Sequence, residues 1–234
     1  MKRALGWIVA SALVVAGIFV GWLYLAGGSG EPSTELTTPP LTEASSTTSV
    51  VGSVGQSFVI DPAQSVASFE IDEVLRGSPQ TVVGTTFELA GQVQVDVSDL
   101  STAQFSQIIV NARTFETDSG NRDRAIRGPV ILNSASDEFE FITFDVTSID
   151  GLNGTATTGE AIEFSVSGDL KIKATTSPVT FAVSATFVDE ATIEGTAETT
   201  VLRGDFDLGI PNAPGVADVS DEVAIRLEFV ATSV

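Results

Sequence analysis

From Ile162 to Lys173 apolar and polar residues alternate without interruption. Phe164, Val166, Gly168, Leu170 and Ile172 share one parity, and Glu163, Ser165, Ser167, Asp169, Lys171 and Lys173 share the other. Successive side chains of a strand point to opposite faces, so this stretch can only form a strand with one apolar and one wetted face. The pattern returns at Val179, Phe181, Val183, Ala185 and Phe187, which predicts an antiparallel hairpin turning at Ser177 and Pro178. It returns again at Val223, Ile225, Leu227, Phe229 and Ala231 near the C-terminus. Four earlier segments follow the same scheme: Ala67, Phe69 and Ile71; Leu89, Gly91, Val93 and Val95; Ile108, Val110 and Ala112; and Ile142, Phe144 and Val146. With a further strand between Ala191 and Arg203, the expectation is an all-β, antiparallel fold of about eight strands. Only Ser119 to Arg127 reads as a helix, and a short one. Gly91, Gly168 and Gly195 fall inside strand patterns, where glycine marks the bends or bulges that let a sheet curl on itself.

An apolar face repeated over about eight strands admits two interiors. A barrel of that size is just wide enough either to be filled by its own side chains or to hold one small ligand. Patterning alone favours the filled core. Phe is abundant, at 14 residues, while Tyr occurs once, so a hydrocarbon entering such a lumen would meet mainly rings without hydroxyls.

Upstream of the strands lies a different material. Ala4 to Ala26 contains only apolar residues, Gly and one Ser, long enough against the ~20 residues that cross a bilayer as a helix. A cleaved signal peptide is the rival reading, but its apolar region usually covers only ~7 to 15 residues. Trp7, Trp22 and Tyr24 sit where interfacial aromatics belong, which favours an uncleaved anchor over residues 1–27. Lys2 and Arg3 are the only charges before this run, so the N-terminus is expected in the cytoplasm and the rest outside it, on a single-pass membrane protein. Residues 28–55 are rich in Gly, Ser, Thr and Pro, with Pro32, Pro39 and Pro40 and no apolar period, and read as a flexible linker. The barrel is assigned to residues 56–234.

Charge and missing residue types narrow the chemistry. The chain carries 31 Asp and Glu; beyond Arg3 only nine Lys and Arg oppose them, an excess of 22 negative charges. Such a surface repels phosphate backbones, so no nucleic-acid partner is expected. There is no Cys and no His, which removes disulfides, thiolate or imidazole metal ligands and the usual nucleophilic triads. Carboxylate pairs at Asp205 with Asp207 and at Asp221 with Glu222 are what chance supplies among 31 acids. The stretch Asp118 to Asp123 lacks the glycine and distal glutamate of a calcium loop. The expectation is a binding protein, not an enzyme, with no metal and no cofactor. Arg113, Arg122, Arg124 and Arg127 nevertheless concentrate positive charge within fifteen positions. They suit either ion pairing with Asp118, Asp123 and neighbouring acids or bidentate contact with an anionic headgroup.

Five blocks then stand in a telling order. They are IDPAQSVASFEI (Ile60 to Ile71), Val82 to Phe87 with the Gly91 strand, NRDRAIRGPVILNSASDEFEFITF (Asn121 to Phe144), GDLKIKATTSPVTFAV (Gly168 to Val183), and RGDFDLGI (Arg203 to Ile210) with VSDEVAIRLEFVA (Val219 to Ala231). Together they resemble the YceI-like polyisoprenoid-binding family over roughly Gln56 to Val234. Three departures are visible: Glu140 stands where the family has Pro, Lys173 and Ala174 where His and Gly are common, and Asp207 and Leu208 intervene before Gly209. The resemblance implies a lipocalin-like barrel whose apolar lumen accommodates a polyisoprenoid or another long-chain amphiphilic lipid. Its lining would come from Phe69, Ile71, Ile142, Phe144, Phe164, Val166, Leu170, Phe181, Val183, Ile225, Leu227 and Phe229. Arg122, Arg124 and Arg127 are the headgroup candidates. A filled barrel serving as a structural or interaction domain is the alternative.

Overall fold

A computed structural model describes residues 26–41, 55–211 and 213–234. The predicted membrane span therefore lies, except for Ala26, outside the described residues, among which no helix is long and apolar enough to cross a membrane. The strands in chain order are β1 (Gln56–Ile60), β2 (Val66–Leu75), β3 (Ser78–Thr86), β4 (Leu89–Ala90), β5 (Gln92–Asp96), β6 (Asp99–Phe105) and β7 (Ile108–Asn111). Helix α1 (Gly120–Arg127) follows, then β8 (Phe141–Asp150), β9 (Ala161–Ile172), β10 (Thr175–Phe187), β11 (Thr192–Leu202), β12 (Val216–Ala217) and β13 (Glu222–Ser233).

Thirteen strands among the described residues replace the eight expected, because several passes of the chain are broken into shorter pieces. β1 and β2 lie end to end against β13, β3 and β5 lie end to end against β2 and β1, and β6 and β7 lie end to end against β5 and β4. The joints between the pieces keep the ladder running: the Ile60 amide donates to the Gly91 carbonyl at 3.0 Å and the Ser106 amide to the Gln92 carbonyl at 2.9 Å. From β7 the order runs β8, β9, β10, β11, β13, each antiparallel to the next. Since β6 and β7 continue one pass of the chain, with β6 paired to β5 and β7 to β8, the sheet comes round on itself as a barrel wall.

The predicted hairpin between β9 and β10 forms, but it turns at Lys173 and Ala174, with Thr175 opposite Ile172. Ser177 and Pro178 lie within β10, Pro178 opposite Asp169. Proline is tolerated there because β11 pairs with β10 only from Ala182 onward, so on that side Pro178 has no neighbour requiring an N–H. Lys173 holds φ at +55° to close the turn, a conformation more often left to Gly or Asn. Gly168 serves the curl as expected: a Cβ there would stand 2.3 Å from the Asp145 carbonyl and 2.7 Å from the Phe144 ring, beside the register shift between Val146 and Ser148.

Two apolar clusters stack along the barrel. The lower contains Phe58, Val95, Leu100, Ala185, Phe187, Ile193 and Ala231, with Phe58 and Phe187 packed edge to face at 5.8 Å. It closes one end. The upper gathers Phe144, Val166, Leu170, Phe181 and Val183 with Ala112, Phe115 and Ile126 from the α1 side.

Residues 26–41 are not a free tether. The Gly27 carbonyl accepts from Arg127 Nε at 2.9 Å, the Ser33 amide donates to Glu140 at 2.9 Å, Gln92 Nε2 donates to the Pro39 carbonyl at 2.6 Å, and Leu41 forms a β-bridge with Ser106. The segment runs as a strap down the outside of the barrel. Its composition hid this, because the strap bonds chiefly through its own backbone groups to the side chains of Arg127, Glu140 and Gln92, which no periodic pattern announces. Residues 42–54 of the predicted linker lie outside the described residues.

Candidate functional site

The barrel interior is not filled. A cavity of about 650 Å³ runs above the lower cluster, within the ~300 to 1,000 Å³ of small-molecule sites. Strand alternation explains its wall, since the cavity-facing positions of β2, β8, β9, β10 and β13 are apolar apart from Glu73 of β2 at the mouth. All twelve residues singled out from the sequence as possible lining lie on that wall. Several, including Phe69, Ile71, Ile142 and Phe164, point inward yet remain only half-buried, as residues facing open space rather than packed neighbours must. Phe144 and Phe181 meet edge to face at 5.0 Å, and Phe69 meets Phe115 at 5.3 Å, so ring edges and faces present a continuous hydrocarbon surface. Phe58 and Ala231 form the floor.

The mouth is built from α1 and the loop that follows β11. Ser119, Asn121, Arg122, Arg124 and Ala125 line it on one side, and Leu208, Ile210, Pro211, Ala213 and Pro214 on the other. Arg203 fixes the loop by donating to the carbonyls of Ser220 at 2.8 Å and Leu208 at 2.9 Å while pairing with Asp221 at 2.6 Å. That interaction also occupies one member of the acid pair noted in the sequence. The Gly209 amide reaches the Val130 carbonyl at 3.2 Å, joining the loop to the chain beyond α1.

The four arginines do not act as one group. Arg122 and Arg124 line the mouth, Arg122 pairing with Glu73 at 3.1 Å and with Asp118 one turn earlier. Arg124 extends back towards the Gly120 carbonyl. Arg127 is not on the cavity wall: it is buried under the strap and bonded to Gly27, and that burial pulls its guanidinium below the usual pKa, with Asp123 acting the other way. It must be removed from the headgroup candidates. The strap, not helical phase, separates it from the mouth: Arg127 follows Arg124 by three residues, on the same side of α1, but its guanidinium is taken up by the Gly27 carbonyl beside Gly30 and does not reach the cavity lining. Arg113 is likewise structural. It is buried against the Ser134 carbonyl at 2.8 Å and Asp137 at 2.8 Å, with Glu140 at 3.3 Å.

Sequence reasoning missed several contributors, Phe58, Phe115, Ala197 and Arg203 among them. Phe58 lies in the short β1 and Phe115 just past the 3-10 turn over Ala112–Thr114, where alternation is too brief to read, and Arg203 was read only as part of a closing block. The uncharged, Pro-containing stretch of ten residues from Leu208 to Ala217 in so acidic a domain was the available signal for the mouth.

The same architecture recurs in known proteins. Burkholderia cenocepacia BcnA is 22% identical with a TM-score of 0.57, the alignment covering 74% of this chain and 99% of that one. A polyisoprenoid binding domain from Saccharophagus degradans is 14% identical with a TM-score of 0.60, covering 76% and 99%. The YCEI protein of Campylobacter jejuni is 13% identical with a TM-score of 0.51, covering 64% and 84%. At these identities the likeness is one of fold. Among curated protein sequences none matches this chain. The model of the YceI-like domain matches residues 58–231, from the floor at Phe58 through the mouth and back to the floor at Ala231, and on that match the chain belongs to the YceI-like domain family.

Proposed function

We propose that this protein is a binding module, not an enzyme, that holds the hydrocarbon of a polyisoprenoid or similar long-chain amphiphile in the barrel cavity. The single observation that carries the reading is the predominantly apolar cavity of about 650 Å³, with Glu73, Arg122 and Arg124 at its mouth. Phe69, Ile71, Ile142, Phe144, Phe164, Val166, Leu170, Phe181, Val183, Ile225, Leu227 and Phe229 would contact the chain, and Arg122 and Arg124 the headgroup. A long apolar chain threaded between such walls removes its own surface and theirs from water at ~25 cal/mol per Å². The polyisoprenoid-binding domain among the similar folds supports this ligand class. In this reading the apolar run Ala4 to Ala26 anchors the chain in the cell membrane, and the barrel works outside the cytoplasm beside the lipids it binds.

Native mass spectrometry of the full chain purified from membranes tests the proposal. A long-chain lipid should co-purify and be displaced by added polyprenol. A chain that carries no lipid and takes up none when polyprenol is supplied would show that the cavity serves another purpose.

A further inference from the structure

The strap bears on how the cavity meets its ligand. The apolar run predicted to span the membrane ends at Ala26, and the next residue is already docked on the mouth-end helix. A Cβ on Gly27 would stand 2.2 Å from the Arg124 carbonyl, so only glycine permits this approach. Glu140 holds the next part of the strap: fully buried, it accepts from the Ser33 amide, the Ser33 hydroxyl and Asn111 Nδ2, the last at 3.0 Å. It occupies the place where the family resemblance expects proline. A random coil over the predicted linker would let the barrel tumble within about 30 Å of the membrane. Docking at Gly27 leaves no slack between the predicted span and the barrel.

The two ends of the barrel also differ in their chemistry. At the mouth, Ile210, Pro214 and Ala217 are exposed on the uncharged loop, beside Arg122 and Arg124 on α1, with Asp118, Asp207 and Asp218 around them. At the floor, the turns over 96–99, 150–160 and 188–191 expose Val97 and Val188 but carry Asp96, Asp99, Asp150, Glu160, Asp189 and Glu190 and no Lys or Arg. The difference lies in the basic groups: an uncharged loop beside arginines suits the headgroup region of a bilayer, whereas an end whose charges are all acidic is repelled by phosphate-bearing lipids.

We propose that the strap over 27–41 clamps the barrel with its mouth against the bilayer, and that the rim formed by α1 and the 208–217 loop is a lipid-surface contact through which ligand passes between membrane and cavity. The inference rests on the anchor reading of Ala4 to Ala26 and adds an orientation to it. The chain has no cysteine, so single labels can be placed at exposed sites: Ile210→Cys at the mouth and Val188→Cys at the floor end. Each full-length variant, labelled with a fluorophore, is reconstituted into phosphatidylcholine vesicles carrying a headgroup-level quencher. Quenching should be severalfold stronger at position 210 than at 188. Gly27→Val, combined with Ile210→Cys, should stay anchored but lose that difference, because its side chain displaces the strap and leaves the barrel intact. Equal quenching at the two positions, or an undiminished difference in the Gly27→Val chain, overturns the proposal. Co-flotation with the vesicles is scored separately, and a chain that fails to float refutes the anchor, and this orientation with it.

Discussion

Ala197 is the most informative position in the cavity wall. It lies in mid-strand on β11, opposite Val183 on β10 and Leu227 on β13, and its side chain faces the open space. The substitution Ala197→Trp projects an indole into the cavity. A tryptophan carries roughly 150 to 250 Å² of side-chain surface. At ~25 cal/mol per Å², taking that area out of water is worth up to about 4 to 6 kcal/mol. Ordering the ring and local adjustment of the wall offset part of it, leaving an expected net change between zero and a gain of about 3 kcal/mol. In a filled core the same substitution would cost ~1 to 3 kcal/mol through overpacking. The sign separates the two interiors. Urea unfolding of the full chain, followed by circular dichroism, measures it. Emission from the introduced indole should be blue-shifted against the only other tryptophans, Trp7 and Trp22. Lipid occupancy by native mass spectrometry should fall at least tenfold. A loss of ~1 to 3 kcal/mol with an unchanged m-value would refute the open cavity. A folded variant with undiminished lipid would place the ligand elsewhere.

Further outcomes are expected from the same geometry. Arg124→Gln should weaken binding of a polyprenyl diphosphate several times more than binding of the uncharged polyprenol, and titrations at rising salt should see the difference shrink. Glu140→Ala leaves the buried Arg113 guanidinium without its inner carboxylate and should cost ~3 to 5 kcal/mol, read as a lower urea midpoint. A reporter fused after Val234 should be active only outside the cytoplasm, because Lys2 and Arg3 hold the N-terminus inside; cytoplasmic activity would reverse the topology.

Period-two alternation is a local property of the backbone, and it determined from the sequence which side chains share a face. This is why the inward residues of β2, β8, β9, β10 and β13 were legible from their order along the chain, and why the family resemblance could be carried on short blocks. The turn between β9 and β10 was misplaced for an equally local reason: Ser-Pro has turn chemistry, yet pairing to β9 absorbed it at a place where β11 makes no demand on the proline. Everything that depends on distance between remote segments was left to the tertiary structure. Whether an apolar face lines a packed core or an open lumen is set by how the wall curls and where β13 returns to β1 and β2, and the same alternation serves both. The arginines of α1 divide by what covers them, Arg122 and Arg124 lining the mouth and Arg127 lying beneath the strap, which their spacing alone does not reveal. The strap itself reads as coil because glycine, serine and proline carry no period. Only the folded barrel supplies the buried Glu140 and the Arg127 guanidinium that capture it.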